Sequence, residues 1–132
     1  MFEICTNNAH APFNVEYYED STGHYPVEAF ILSQSIKMQA KIFRTIELLE
    51  NYGNTLREPY SKHLDDGIFE LRIKLGTETT RILYFFVINK TIILTNGFTK
   101  KTDKTPAKEL LLAKQRRDAY YLRMRKSDEQ EL

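Results

Sequence analysis

The chain has 132 residues, 42% of them hydrophobic, with a formal net charge of +1, which suits one domain with its own core. Its single cysteine, Cys5, excludes an internal disulfide and points to a reducing compartment. No apolar run approaches ~18 residues and no basic-then-apolar leader opens the sequence, so a cytoplasmic protein without a membrane partner is expected.

In chain order, Phe2 to Thr6 and Phe13 to Tyr18 read as a first strand with a loop or hairpin. Asp20 to Gly23 is a turn, and Pro26 suits a first helical position, where its fixed φ fits and its missing N–H is not needed. Val27, Phe30 and Ile31 then follow at the spacing of one helix face. A second helix is predicted over Ser35 to Tyr52. Ile42, Ile46 and Leu49 form its stripe, Ile36, Ala40 and Phe43 widen it, and Gly53 ends it. Pro59 opens an extended piece, Tyr60 to Leu64, and Asp65-Asp66-Gly67 turns into the next strand.

Ile68 to Leu75 alternates cleanly, with Phe69, Leu71, Ile73 and Leu75 on one side and Glu70, Arg72 and Lys74 on the other. Arg81 to Ile88 is apolar on both faces after its arginine, as a central strand would be. Asn89-Lys90 makes a hairpin turn into Thr91 to Thr95, which runs through Asn96-Gly97 to Lys101. A last helix is predicted from Thr105 as N-cap and Pro106 at the first position to about Arg123. Ala107, Leu110, Leu111, Tyr121 and Leu122 gather on one side of it, interrupted by Lys114 and Asp118, and 124–132 reads as an acidic tail. This order indicates a single α+β domain with its helices on one side of the sheet.

Charge is unevenly placed. Met1 to Asn96 sums to −3, Gly97 to Lys126 to +7, and the last six residues to −3. Such a stretch is either a basic face for a polyanion or a solvated charged helix. With Arg72 and Lys74, Arg81, and Lys100 and Lys101 on successive strands, several cations can share one surface, which suits a phosphate-rich ligand.

Four stretches also resemble one family. They are Gly23-x-x-Pro26-Val27-Glu28-x-Phe30; Lys62 and Leu64 through Gly67-Ile68-Phe69-Glu70-Leu71-Arg72; Arg81-Ile82-Leu83-Tyr84; and Gly97-Phe98-Thr99-Lys100-Lys101 followed by Thr105-Pro106-x-x-Glu109-Leu110-x-x-Ala113. In this order and spacing, from about Tyr17 to Arg117, they are similar to the HigB-like, phage-derived branch of the RelE/ParE toxin superfamily. The resemblance implies a RelE-like α+β fold, with two N-terminal helices packed on a mainly antiparallel sheet and a C-terminal helix. It implies the toxin of a type II toxin–antitoxin pair, an endoribonuclease that cuts translated mRNA on the ribosome. The implied reaction uses attack by the ribose 2′-hydroxyl and neither metal nor cofactor. The implied partners are the ribosome, mRNA and a helix-turn-helix (HigA-like) antitoxin.

Such a reaction needs a base, an acid and positive charge at the phosphate. Arg81 is the first candidate for the charge and Arg72 the second, because a guanidinium fork meets two phosphate oxygens and stays protonated. The alternatives are an exposed strand-end arginine and a cross-strand ion pair. Lys100 and Lys101 are candidates for RNA contact or for proton transfer, against a solvated turn. Lys74 and Lys104 are candidate RNA contacts, and Tyr84 and Phe98 candidate base-stacking residues, against a core role for both rings. Glu70 is a candidate base, with a salt bridge as the preferred reading. His63 is the histidine placed nearest the site, against an ordinary surface role. Two other functions share the surface features: a ParE-like topoisomerase poison and a non-catalytic RNA- or ribosome-binding module.

Overall fold

The computed structural model describes residues 11–100 and 104–131, with side chains through Asp128. The strand expected at Phe2 to Thr6, together with Cys5, His10 and Lys101, falls outside the described residues. The elements are β1 (Asn14–Tyr17), α1 (Pro26–Leu32), α2 (Ile36–Tyr52), a 3-10 turn (Gly53–Thr55), β2 (Ser61–Asp65), β3 (Ile68–Leu75), β4 (Glu78–Val87), β5 (Thr91–Lys100) and α3 (Ala107–Glu131).

Local chemistry accounts for most of these boundaries. Pro26 opens α1, which buries Val27 and Ile31. The Ser35 hydroxyl accepts the Met38 N–H at 3.1 Å and so caps α2. Gly53 ends α2 at a φ of +49°, and the Phe13 ring lies where a Cβ would stand, so the position tolerates only glycine. Asp66-Gly67 and Asn89-Lys90 hold the left-handed conformations that tight hairpins need.

The sheet order is β1-β5-β4-β3-β2. β1 runs parallel to β5, and the other three pairs are antiparallel. This overturns the expected architecture of two N-terminal helices on a mainly antiparallel sheet. One mixed five-stranded sheet carries the fold; a strand precedes the helices, a short and a longer helix lie in the middle, and most strands follow them.

The helices are not on one side either. Val27, Ile31, Met38, Ile42, Ile46 and Leu49 of α1 and α2 pack on Leu71, Ile73, Ile82, Tyr84, Ile92 and Leu94. Ile68, Leu83, Phe85 and Ile93 face the other way, and there they meet Leu110, Ala113 and Tyr120 of α3. Strand side chains alternate between faces, so a strand apolar on both needs cover on both. β4 is that strand, and α3 supplies the second cover.

α3 docks with only part of the stripe expected, since Tyr121 meets the Phe85 ring while Ala113 and Tyr120 join it. Leu110, Ala113 and Tyr120 face the sheet, whereas Leu111 and Leu122 are exposed. Polar contacts replace the missing apolar ones. Lys114 Nζ lies 2.6 Å from Asp65 Oδ2, and Arg117 grips the carbonyl and carboxylate of Asp66. Arg116 donates to Thr95 O at 2.8 Å, and Arg116 and Arg123 both lie over the Tyr18 ring. Lys114, which interrupts the apolar side in the sequence, is therefore part of the docking. The helix also continues to Glu131, where a tail from 124 onward is expected. No described helix is long and apolar enough to cross a membrane.

Candidate functional site

The register of β3, β4 and β5 sets three rungs side by side on the α3 face. Glu70 pairs with Leu83 and Leu83 with Asn96; Arg72 pairs with Arg81 and Arg81 with Phe98; Lys74 pairs with Thr79 and Thr79 with Lys100. Direct partners share a face, so Arg72, Lys74, Arg81 and Lys100 lie on one surface. Exposure rises along β3, from a fully buried Glu70 through Arg72 to an exposed Lys74.

Glu70 is the centre of the arrangement. Its Oε1 accepts from Arg72 Nε at 2.8 Å. Its Oε2 lies 3.4 Å from Arg81 Nη1 and also accepts the Thr105 hydroxyl. Burying a carboxylate is costly unless it is paired and hydrogen-bonded, and here both oxygens are engaged. The arginines differ. Arg81 is 2% exposed, so the expected strand-end arginine at the mouth of the core is instead an interior one, the fourth residue of β4. The Arg72 side chain is 22% exposed, and its Nη1 lies 4.0 Å from the exposed carboxylate of Glu58.

The start of α3 borders the same surface. Thr105, expected as the N-cap, turns its hydroxyl to Glu70, and Pro106 O accepts the N–H groups of Glu109 and Leu110. Asn96 Nδ2 donates to Glu109 O at 3.2 Å and to its carboxylate at 3.0 Å, fixing this end of the helix to β5. Lys100 Nζ donates to Lys104 O at 2.9 Å, and Lys104 is exposed. The surface thus presents Arg72, Lys74, Lys100 and Lys104 above a buried Glu70–Arg81 pair.

The remaining candidates go elsewhere. Tyr84 is core on the α1–α2 face, bonded to Ser61 Oγ at 2.5 Å, and has no open ring face for a base; burial pushes its hydroxyl pKa up to about 12, offset in part by that bond. Phe98 is half-buried against the α3 core. His63 is exposed and pairs with Phe69, packing edge-on to that ring on the α1–α2 face, across the sheet from Glu70. Glu70 itself is held by three donors, the arrangement its salt-bridge reading expects. The sequence reading missed Thr105 and Glu58 as members of the site. A threonine before a proline reads as a cap, and nothing local links Glu58 to Arg72. Among the described residues no group of three or more His, Cys, Asp or Glu is placed to hold a metal ion.

The family model described as "Phage derived protein Gp49-like (DUF891)" matches residues 29–118, about two thirds of the chain. The chain belongs to this family. The Gp49-like family is one of RelE/toxin-like proteins, related to toxin endoribonucleases. The Gp49-like span takes in Glu58, Glu70, Arg72, Arg81 and Thr105, and so the whole candidate site, while β1 lies outside it. None of the curated proteins matches the chain.

Proposed function

We propose that this Gp49-like protein is the toxin of a type II toxin–antitoxin pair of the HigB-like kind, a ribosome-dependent endoribonuclease that cuts translated mRNA in the cytoplasm. The observation that carries this reading is the register that puts Arg72, Lys74 and Lys100 on one sheet face, with Arg72 held by a buried carboxylate. In the reaction the ribose 2′-oxygen bonds to the adjacent phosphorus and the bond to the 5′-oxygen breaks. The proton leaves the 2′-hydroxyl and another is given to the 5′-oxygen. Charge builds on the phosphate oxygens between these events, and a preset guanidinium there lowers the barrier most directly. Arg72 takes that role, because it is the arginine of the pair that reaches solvent. Arg81 supports it from below through Glu70. Lys74 and Lys104 hold the flanking backbone, and Lys100 and Lys101 are the candidates for proton transfer. The neutralising partner is a helix-turn-helix antitoxin.

Primer extension on mRNA after induction tests the reading. New 5′ ends inside translated codons, formed equally with and without a chelator that spares the ribosomes, are expected. Intact messages under strong induction of folded protein would refute it, and intact messages with DNA breaks would indicate a topoisomerase poison instead.

A further inference from the structure

We infer that Glu70 and Thr105 together form a positioning device that sets the plane of the Arg72 guanidinium for a phosphodiester. The inference rests on the ribonuclease reading above and names two residues for it that touch no substrate. Each oxygen of Glu70 has its own work. Oε1 takes Arg72 Nε at 2.8 Å, while Oε2 is occupied by Arg81 and by the Thr105 hydroxyl. A carboxylate free to rotate would offer Arg72 either oxygen and several geometries. Pinned at Oε2 from two directions, it offers one. Holding Nε from inside leaves the outer nitrogens of the fork directed away from the core, the edge that meets two oxygens of a phosphate. The exposed Glu58 carboxylate lies 4.0 Å from Arg72 Nη1, so this edge of the fork is within reach of an anionic oxygen, and a phosphodiester that binds there takes the place of Glu58.

Thr105 also lies two residues before α3, whose first turn Asn96 ties to β5. The pinning hydroxyl is therefore delivered by the segment that joins β5 to α3. A displacement of ~1 Å in a reacting group costs on the order of a hundredfold in rate, so loosening this contact acts on turnover more than on binding.

The test uses Thr105→Val, which keeps the shape and removes the donor, with Thr105→Ser as the conservative rescue. Glu70→Gln serves as a second probe where it folds. Cleavage of a ribosome-bound message and the Arg72 Nε–H signal of 15N-labelled protein, assigned by its loss in Arg72→Lys, are read together. The expected result for Thr105→Val is a kcat lowered about tenfold to a hundredfold with KM within about twofold, a broadened or lost Nε–H signal, and recovery of both in Thr105→Ser. A Thr105→Val protein with the parent's kcat and the parent's signal overturns the inference, even if its melting temperature falls, because the contact would then be structural. If the parent itself cuts no RNA, the ribonuclease reading fails separately. The signal alone then decides, and its persistence in Thr105→Val overturns the positioning role.

Discussion

Arg81→Ala should destabilise the protein severely, and the reason lies in Glu70. Both side chains are inside the protein, at 0% exposure for Glu70 and 2% for Arg81. Removing one partner of a buried ion pair leaves a charge in a medium that solvates it poorly, at a cost of ~3–5 kcal/mol. The lower end applies, because Glu70 keeps Arg72 and the Thr105 hydroxyl. With ~2.1 cal/mol/K of unfolding entropy per residue, a chain of this length loses roughly 1 °C per ~0.28 kcal/mol, so ~3 kcal/mol lowers Tm by roughly 11 °C. Thermal melts followed by circular dichroism measure this. Arg72→Ala, at a partly exposed position, should cost only ~1.5 kcal/mol, or roughly 5 °C, while abolishing toxicity. Replacing both members with apolar residues, Glu70→Leu with Arg81→Met, should recover most of the loss, since the penalty lies in the stranded charge. An Arg81→Ala protein that melts within about 2 °C of the parent would refute the reasoning, because that charge would then be reached by water.

The other expectations are smaller in scope. Gly97→Ala places a Cβ against the Phe30 ring, where β5 passes under α1, and should cost ~1–3 kcal/mol through overpacking; Phe30→Leu in the same chain should restore stability, and no gain from the second change would count against the contact. Burial holds the Tyr84 hydroxyl at about 12, whereas an unfolded tyrosine loses its proton near ~10, so the unfolded state ionises first. The stability this group contributes is fully present below pH ~10 and is lost towards pH ~12, so the urea midpoint should fall over that window, with a shallower fall in Tyr84→Phe; identical slopes in the two proteins would show that Tyr84 is not responsible. Lys74→Ala and Lys104→Ala should each weaken RNA binding similarly for all sequences and each reduce the slope of log affinity against log salt by ~0.7–1. A slope unchanged by either would remove that lysine from the RNA surface.

Residues whose environment is set by near neighbours were legible in the sequence. Ser35, Gly53, Pro26 and the two hairpin turns act through contacts a few positions away, and the alternation of β3 separates Phe69, Leu71 and Ile73 from Glu70 and Arg72 as the structure does. The α3 face was not legible. An apolar-on-both-sides β4 requires cover on each face, but the cover is a helix with a sparse apolar stripe, and its docking rests on Lys114 and Arg117 reaching a turn about fifty positions earlier. Charge pairs at such separation leave no periodic trace. The same cause left the +7 stretch readable only as a basic face for a polyanion or a solvated charged helix, when Lys114, Arg116 and Arg117 are engaged within the fold.

Arg81 shows the limit most clearly. From the chain it stands before seven apolar residues and reads as a boundary, because a guanidinium inside a core is improbable without a partner. The partner is Glu70, eleven positions away and offset by one rung across β3 and β4, and it can accept Arg81 only because Arg72 and Thr105 hold it as well. A four-member network of this kind is cooperative: each contact makes the burial of the others tolerable, and none is predicted by its own residue type. The functional consequence follows from the same geometry. One arginine serves the carboxylate from within and the other meets solvent, so loss of either should inactivate the protein for different physical reasons. Melting temperature and turnover, measured on the same variants, separate the two.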